Sequence, residues 1–328
     1  MRLIVTNGDH AVERLRAAGI EDEILPWRDV LHDGPVPAEE ALERLSQLRA
    51  SFLSSEFGLP HESVAMDFAV RDSTIRGHAR FPRLEIWLEN DLYDQLQLIQ
   101  ILDFLGDVGR TEDVFLAQTR EPIGRMEADA VARLAESAEP VTQDQFTLAR
   151  IAWTAFTAPH PAPLAEIASE HRPSLPYLAP ALKRLLAELP DPVRGLSLTQ
   201  ERVLEGLQAG PASANQLFRH VVAQEEAQFM GDASFFHRLE ALAFVDNPLI
   251  DGVCAPVREM MDSPDSLPDY GALAASELRL TATGRNVLAG HKDHALINKA
   301  DTWIGGVRLS PALQLRYDRE KERLIAPA

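Results

Sequence analysis

Cysteine is almost missing from this chain. A single residue, Cys254, in 328 excludes an intrachain disulfide framework and any Cys-rich zinc site, and it suits a reducing compartment. Long apolar runs are missing too. None approaches the ~18 residues that a membrane-spanning helix needs. The opening stretch, MRLIVTNGDHAVERL, has only a three-residue apolar run, Leu3–Val5, before polar residues and charges begin, which is not a secretory-signal pattern. The expectation is a cytoplasmic protein with no membrane association. Positive charge is in deficit: 32 Lys and Arg stand against 50 Asp and Glu, a formal charge of −18. Such a chain repels nucleic-acid backbone and anionic membrane on average, although a local basic face is compatible with it. The strong enzyme signatures are also lacking: no GxGxxG, GxxxxGK[ST], HExxH or GxSxG occurs, so no reaction follows from a motif.

What is present is an ordinary globular composition, 45% hydrophobic and 25% charged, so disorder is not the default for any long part. At ~150 residues per domain the length suggests two domains, with a linking element between them. Residues 1–122 read as a Rossmann-like α/β domain with a parallel sheet. LIV (Leu3–Val5) is a buried-strand run, Gly8 gives a turn, and Asp9 is placed to cap a helix ending at Gly19. EILPW is a second strand, followed by a loop pinned by Gly34, Pro35 and Pro37. A polar helix spans about 39–57, and 61–80 is also helical. LEIWLEN is the third strand, a helix runs from Asp91 to about Leu105, and DVFLAQT is the fourth strand. Strands alternating with helices imply a parallel sheet covered on both faces.

Residues 123–190 carry helical patterns throughout, and LPDPVRG reads as a linker. Residues 196–328 supply three helices and then two strands, the order of a winged helix, with extra short strands in the tail. Ser197 or Thr199 is placed to cap the first of these helices and Asp232 or Ser234 the third. MMDSPDSLPDYGALA, rich in Pro, Asp and Ser, reads as an exposed wing loop. The third helix offers His237 and Arg238 as its only basic residues, and between Leu196 and Lys292 seven Lys and Arg face thirteen Asp and Glu. DNA reading normally leaves a basic footprint, so DNA is disfavoured and a protein partner through 196–290 is the better expectation. The pair Gly305-Gly306, after Trp303, reads as a bulge.

In an open parallel sheet, ligands bind at the carboxyl ends of the strands. Those ends carry Asn7, Gly8 and Asp9; Arg28 and Asp29, with His32 in the loop; Glu89, Asn90, Asp91 and Asp94; and Gln118, Thr119 and Arg120. The candidate ligand-binding residues are Asn7, Gly8, Asp9, Arg28, Asp29, Glu89, Asn90, Asp91 and Asp94. Converging carboxylates can hold a divalent cation through oxygen, with Asp9, Asp29, Glu89 and Asp91 as candidates. A carboxylate with a histidine can serve as an acid–base pair, which makes Asp29, His32 and Glu89 the catalytic candidates. Arg28 can hold a phosphate or carboxylate, or simply pair with Asp29 or Glu89. Asp9 and Asp91 also have the plain role of helix caps, worth ~1 kcal/mol each. If both occupy helix N-termini, a simple phosphate cradle is weakened.

Several stretches in one order, VTNGDHAVERLRAAGI, ILPWRDVLHDGPVP, LEIWLENDLYDQLQL, AWTAFTAPHP, FMGDASFFHRLEAL and LTATGRNVLAGHKD with WIGGVRL, resemble the uncharacterised bacterial domain-of-unknown-function family 1835 over most of the chain. The resemblance implies membership and no activity. Its motif positions fall on Asn7, Gly8, Asp9, Trp27, Arg28, Asp29, Gly34, Pro35, Asp91, Asp94 and Gln95. Similar sequences read Glu-His-Asp where this chain has Glu89-Asn90-Asp91, and Gly-Gly-x-His-Leu where it has Arg308. Asparagine cannot act as a general base, so the carboxylates are the better candidates here. Two readings remain: a small polar ligand, with or without a divalent cation, on the N-terminal rim, reaction unassigned; or a non-catalytic regulator or interaction module acting through the C-terminal domain.

Overall fold

The computed structural model describes residues 1–39, 41–260, 270–299, 301–310, 313 and 315–325. In chain order the elements are β1 (Leu3–Thr6), α1 (Asp9–Ala17), β2 (Glu23–Pro26), β3 (Gly34–Pro35), α2 (Leu42–Phe57), α3 (His61–Arg76), β4 (Leu84–Glu89), α4 (Leu92–Asp107), β5 (Val114–Thr119), α5 (Ala128–Glu136), β6 (Glu139–Pro140), α6 (Gln143–Thr157), α7 (Ala162–Ser169) and α8 (Leu178–Leu186). They continue with α9 (Leu198–Gly206), β7 (Ala212–Ser213), α10 (Ala214–Val222), α11 (Asp232–Ala243), β8 (Ile250–Asp251), α12 (Tyr270–Ala275), β9 (Glu277–Leu280), α13 (Ala282–Leu288), α14 (His294–Ile297), β10 (Thr302–Gly305), β11 (Val307–Leu309), β12 (Arg316–Asp318) and β13 (Arg323–Ile325). The fold is mixed α/β and forms two compact units. One comprises Met1–His32, Val36–Arg49 and Ala65–Leu182; the other comprises Asp33–Pro35, Ala50–Val64 and Lys183–Ala328. Among the described residues no helix is long and apolar enough to cross a membrane.

The first unit is organised by a five-stranded sheet in the order β2-β1-β4-β5-β6, parallel except for the short antiparallel β6. β1 and β4 are almost wholly buried because both faces of the sheet are covered, which removes the alternation that a half-exposed strand would show. On one face Ile4, Trp87 and Ala117 pack with Ala11 and Leu15 of α1 and with Ala130, Val131 and Leu134 of α5. α4 is buried nearly all round and packs against α6. Its glutamines are therefore inside, and they bind other protein groups. Gln97 donates to the carbonyls of Trp27 (2.6 Å) and Asp29 (3.2 Å), and the Trp27 indole donates to Gln100 (2.7 Å). These bonds fix the chain as it leaves β2. From β1 the chain moves outward to β2, then returns to the other flank of β1 with β4. The strand order thus reverses between β1 and β4.

Two local expectations for this unit change. α1 is capped by Gly8 in extended conformation with no side-chain cap, and Asp9 is its first helical residue. The Asp9 carboxylate is drawn away by Arg28, which binds both its oxygens. The helix closes at Ala17, and Gly19 takes a φ of +84° in the turn beyond.

In the second unit, Gly34 and Pro35 form a strand rather than a loop, parallel to Ile304 and Gly305 of β10. Gly34 has a φ of +73°, and a Cβ there would lie 2.3 Å from the Phe52 ring, so any other residue would be strained and would have to displace that ring. β10 and β11 form a hairpin in which Gly305 and Gly306 lie between the paired Ile304 and Val307. The glycine pair is a two-residue turn, not a bulge, and the φ of +57° at Gly305 is what such a turn requires. α9, α10 and α11 accompany an antiparallel sheet in the order β7-β9-β8. α9 and α10 begin in capping boxes, Ser197 with Gln200 and Ser213 with Gln216. α11 is capped by Gly231 instead of Asp232 or Ser234, and Asp232 begins the helix with its carboxylate on the adjacent Ala233 N–H. Of the expected wing loop, residues 261–269 lie outside the described residues. Tyr270–Ala275 is helical, with the Tyr270 ring stacked on Phe236 at 5.9 Å.

The two basic side chains of α11 are used internally. Arg238 binds Asp33 and stands 3.6 Å from Glu188. The His237 ring meets Phe57 edge to face at 5.7 Å. Glu188 also binds Arg184 (2.7 Å) and Thr199 (2.6 Å), and these contacts outweigh burial and hold its carboxyl down at about 2. Removing one member of a buried ionic cluster leaves its partners uncompensated. Arg238→Ala is therefore expected to cost about 3–5 kcal/mol, read as a lowered urea midpoint; an unchanged midpoint would show that the cluster contributes no stability.

Candidate functional site

The β1–β4 register sets Thr6 opposite Trp87, so Asn7, just past the end of β1, and Glu89, the last residue of β4, emerge together where the strand order reverses. This is the position at which open α/β sheets bind ligands. Glu85, Trp87 and Glu89 share a face by strand alternation. The first two are fully buried, and Glu89 reaches the rim half-buried.

β4 ends at Glu89 because Asp91 starts a helix. Its side chain accepts from the Asp94 N–H at 3.1 Å, the N-cap bond expected of it. Asp94 sits at the third helical position, where a longer acid would reach back to the cap. Being short, it instead accepts from the Glu89 N–H and from the Asn7 side-chain amide (3.1 Å). The same Asn7 amide donates to Glu89 Oε1 (2.9 Å), which also accepts from the Ile123 N–H (2.9 Å). The second Asp94 oxygen, Oδ1, is buried and accepts no hydrogen bond. Glu89, Asp91 and Asp94 thereby present carboxylate oxygens that all lie within 4.8 Å of one another.

Burial is the largest influence on all three acids, and it favours their neutral forms. It raises Glu89 against the opposing bonds from Ile123 and Asn7 and the nearby charge of Arg125. It lifts Asp91, with help from Glu89, to about 7. Asp94 is pushed well above the ordinary carboxylate range by burial and then by Asp91 and Glu89. Among the described residues no Arg or Lys forms an ion pair with any of the three.

Beside the triad lies a cavity of about 540 Å³ lined by Asn7, Gly8, Asp9, His10, Ala11, Glu89, Tyr93, Pro122, Gly124 and Arg125. Tyr93 is fixed by a bond from its hydroxyl to the Asn7 carbonyl (3.2 Å). The turn Ile123–Arg125 after β5 closes the wall.

The structure gathers Asn7, Gly8, Asp9, Glu89, Asp91 and Asp94 about this end of the sheet. Asn90 links β4 to the cap, half-buried, and is not among the cavity-lining residues. Arg28 holds Asp9 at 2.6 Å and approaches Asp67 at 3.4 Å. Asp29 is fully buried and bound to the equally buried Arg49 at 2.9 Å, and it does not line the cavity. His32 is buried with its ring edge-on to Tyr93 at 6.0 Å. The cation candidates thus separate: Glu89 and Asp91 stand with Asp94, whereas Asp9 and Asp29 are each engaged by an arginine. Sequence reading missed Tyr93, Pro122, Gly124 and Arg125. The available signal was EPIGR just after the fourth strand, the same carboxyl-end rule carried five residues past Arg120.

A comparison with protein-family models finds no match to this chain, and a comparison with curated proteins finds none either.

Two outcomes follow from these environments. An acid whose folded pKa lies above its unfolded value weakens the fold once ionised, and the loss sets in as pH rises from about 4 through the folded value of about 7. Asp91→Asn keeps a cap of equal quality and removes that charge. In chelator, it should melt above wild type at about pH 8, with the gap closing toward pH 5; a gap independent of pH would refute the assignment. Asp29→Ala, by contrast, strands the buried Arg49 guanidinium and should lower stability by about 3–5 kcal/mol at neutral pH, measured by denaturant unfolding; a near-neutral effect would return Asp29 to the list of candidate ligands.

Proposed function

We propose that this chain binds a small polar ligand together with a divalent cation at the carboxyl end of its mostly parallel sheet, with Glu89, Asp91 and Asp94 holding the cation. In this reading residues 1–122 are a Rossmann-like domain and the C-terminal part is winged-helix-like. The observation that carries it is the convergence of three carboxylates that have no basic ion-pair partner among the described residues, one offering a buried oxygen free of hydrogen bonds, beside a cavity of small-molecule size. Buried charge needs compensation. An all-oxygen, acid-rich set suits Mg²⁺, Mn²⁺ or Ca²⁺ rather than a soft metal.

The rival reading, a regulator acting through α11 on DNA, loses its two basic carriers, because His237 and Arg238 are engaged inside the unit. A protein-interaction role for the C-terminal part does not depend on them.

The test is titration of chelator-treated protein with Mg²⁺, Mn²⁺ and Ca²⁺, followed by melting temperature and calorimetry. At about a hundredfold excess over Kd a bound ion adds about 2.7 kcal/mol, a rise of several degrees. Asp94→Asn should abolish the rise. No response from wild type to any of the three ions, or an equal response from the variant, would remove the cation site.

A further inference from the structure

We propose that the ligand carries a phosphate group, held by Arg125 and the first turn of α1 and bridged to the triad through the cation. This deepens the cation reading above and rests on it.

The argument begins with the α1 N-terminus. A helix leaves its first N–H groups without internal partners. Here the first helical bond is made by the Val12 N–H to the Gly8 carbonyl, and Gly8 offers no side chain as a cap. The N–H groups of Asp9, His10 and Ala11 make no hydrogen bond among the described residues, and all three residues line the cavity. The Asp9 carboxylate, which would otherwise compete for them, is held by Arg28. A Cβ added at Gly8 would meet nothing within 4 Å, so a ligand can approach the backbone there.

Two further observations point to an occupant. Arg125 lines the same cavity, is exposed, and forms no ion pair among the described residues. Glu89 belongs both to the cavity wall and to the triad, where the buried Asp94 Oδ1 lacks a hydrogen-bond donor.

Free donors and the Glu89 carboxylate thus line one cavity, and Glu89 joins it to the rest of the triad. A bare anion would be repelled by the carboxylates, and a bare cation would leave the donors unused. A phosphate chelated to a divalent cation satisfies both: Mg²⁺-type ions are commonly held by one or two carboxylates plus ligand phosphate. Helix N-termini and arginine are the groups that bind phosphate oxygens. The shared chemistry is the phosphate, whether free, on a sugar or on a nucleotide.

Calorimetry with inorganic phosphate, ribose 5-phosphate and ADP, each with and without about 1 mM Mn²⁺, tests this on the full chain. Wild type and Arg125→Gln are compared, after Mn²⁺ alone has been titrated into both. The expected result is that at least one probe binds wild type, about tenfold or more tightly with Mn²⁺ than without. Arg125→Gln should weaken that probe about tenfold while still binding Mn²⁺ alone and keeping the wild-type melting temperature. Which probe binds best identifies the source of the phosphate. If Mn²⁺ binds both proteins but no probe binds wild type, or one binds both proteins equally, the phosphate inference is overturned and the cation site stands. If neither Mn²⁺ nor, in its place, Mg²⁺ or Ca²⁺ alone binds wild type, both fall.

Discussion

The candidate site turns on one side-chain amide. Asn7 donates to Glu89 at 2.9 Å and to Asp94 at 3.1 Å, while its own carbonyl receives the Tyr93 hydroxyl. It is the one side-chain donor, among the described residues, that two members of the triad share. That bridge exists because β1 and β4 are neighbours in a fixed parallel register. A slip of one residue would turn every side chain of a strand to the other face, taking Glu89 out of reach. The apolar core beneath, with Ile4 and Trp87 on the same face, is what prevents the slip. Stability of the sheet and geometry of the rim are therefore one constraint.

Arginines sort the acids of this unit into two kinds. Asp9, Asp29, Asp72 and Glu85 each have a guanidinium within salt-bridge distance. Among the described residues Glu89, Asp91 and Asp94 have none; Asp91 and Asp94 are buried and Glu89 half-buried beside them. Three acids so placed cannot all ionise at modest cost; they must share protons or a cation. A purely structural acid would be expected to have acquired a partner, as Asp29 did.

Much of this was legible in the sequence. The strands of the sheet, the helix after Asp91 and its cap follow from periodicity and capping chemistry, which are local. The carboxyl-end rule by itself brings Asn7, Glu89, Asp91 and Asp94 together. What could not be read was pairing at long range. Nothing in RDV announces that Asp29 will face Arg49, twenty residues on, or that Gly34-Pro35 will form a strand against β10. Asp9 and Asp232 both look like caps by composition. A glycine before each took that place, because capping is decided by backbone conformation and by competitors such as Arg28. The Gly305-Gly306 pair signalled a special backbone but not which one, since bulge and hairpin turn both call for positive φ.

The charge balance gains meaning from this sorting. Arg49 and Arg71 are buried, and Arg184 and Arg238 nearly so, each beside acids that are themselves buried. Burying matched pairs leaves the net charge at −18 but removes cations from a surface already short of them. That surface repels polyanions and concentrates small cations around itself. A free phosphate compound therefore approaches against the field, and its complex with a divalent ion approaches with less opposition. The long-range electrostatics and the local triad favour the same partner, a metal-bound anion rather than a bare one.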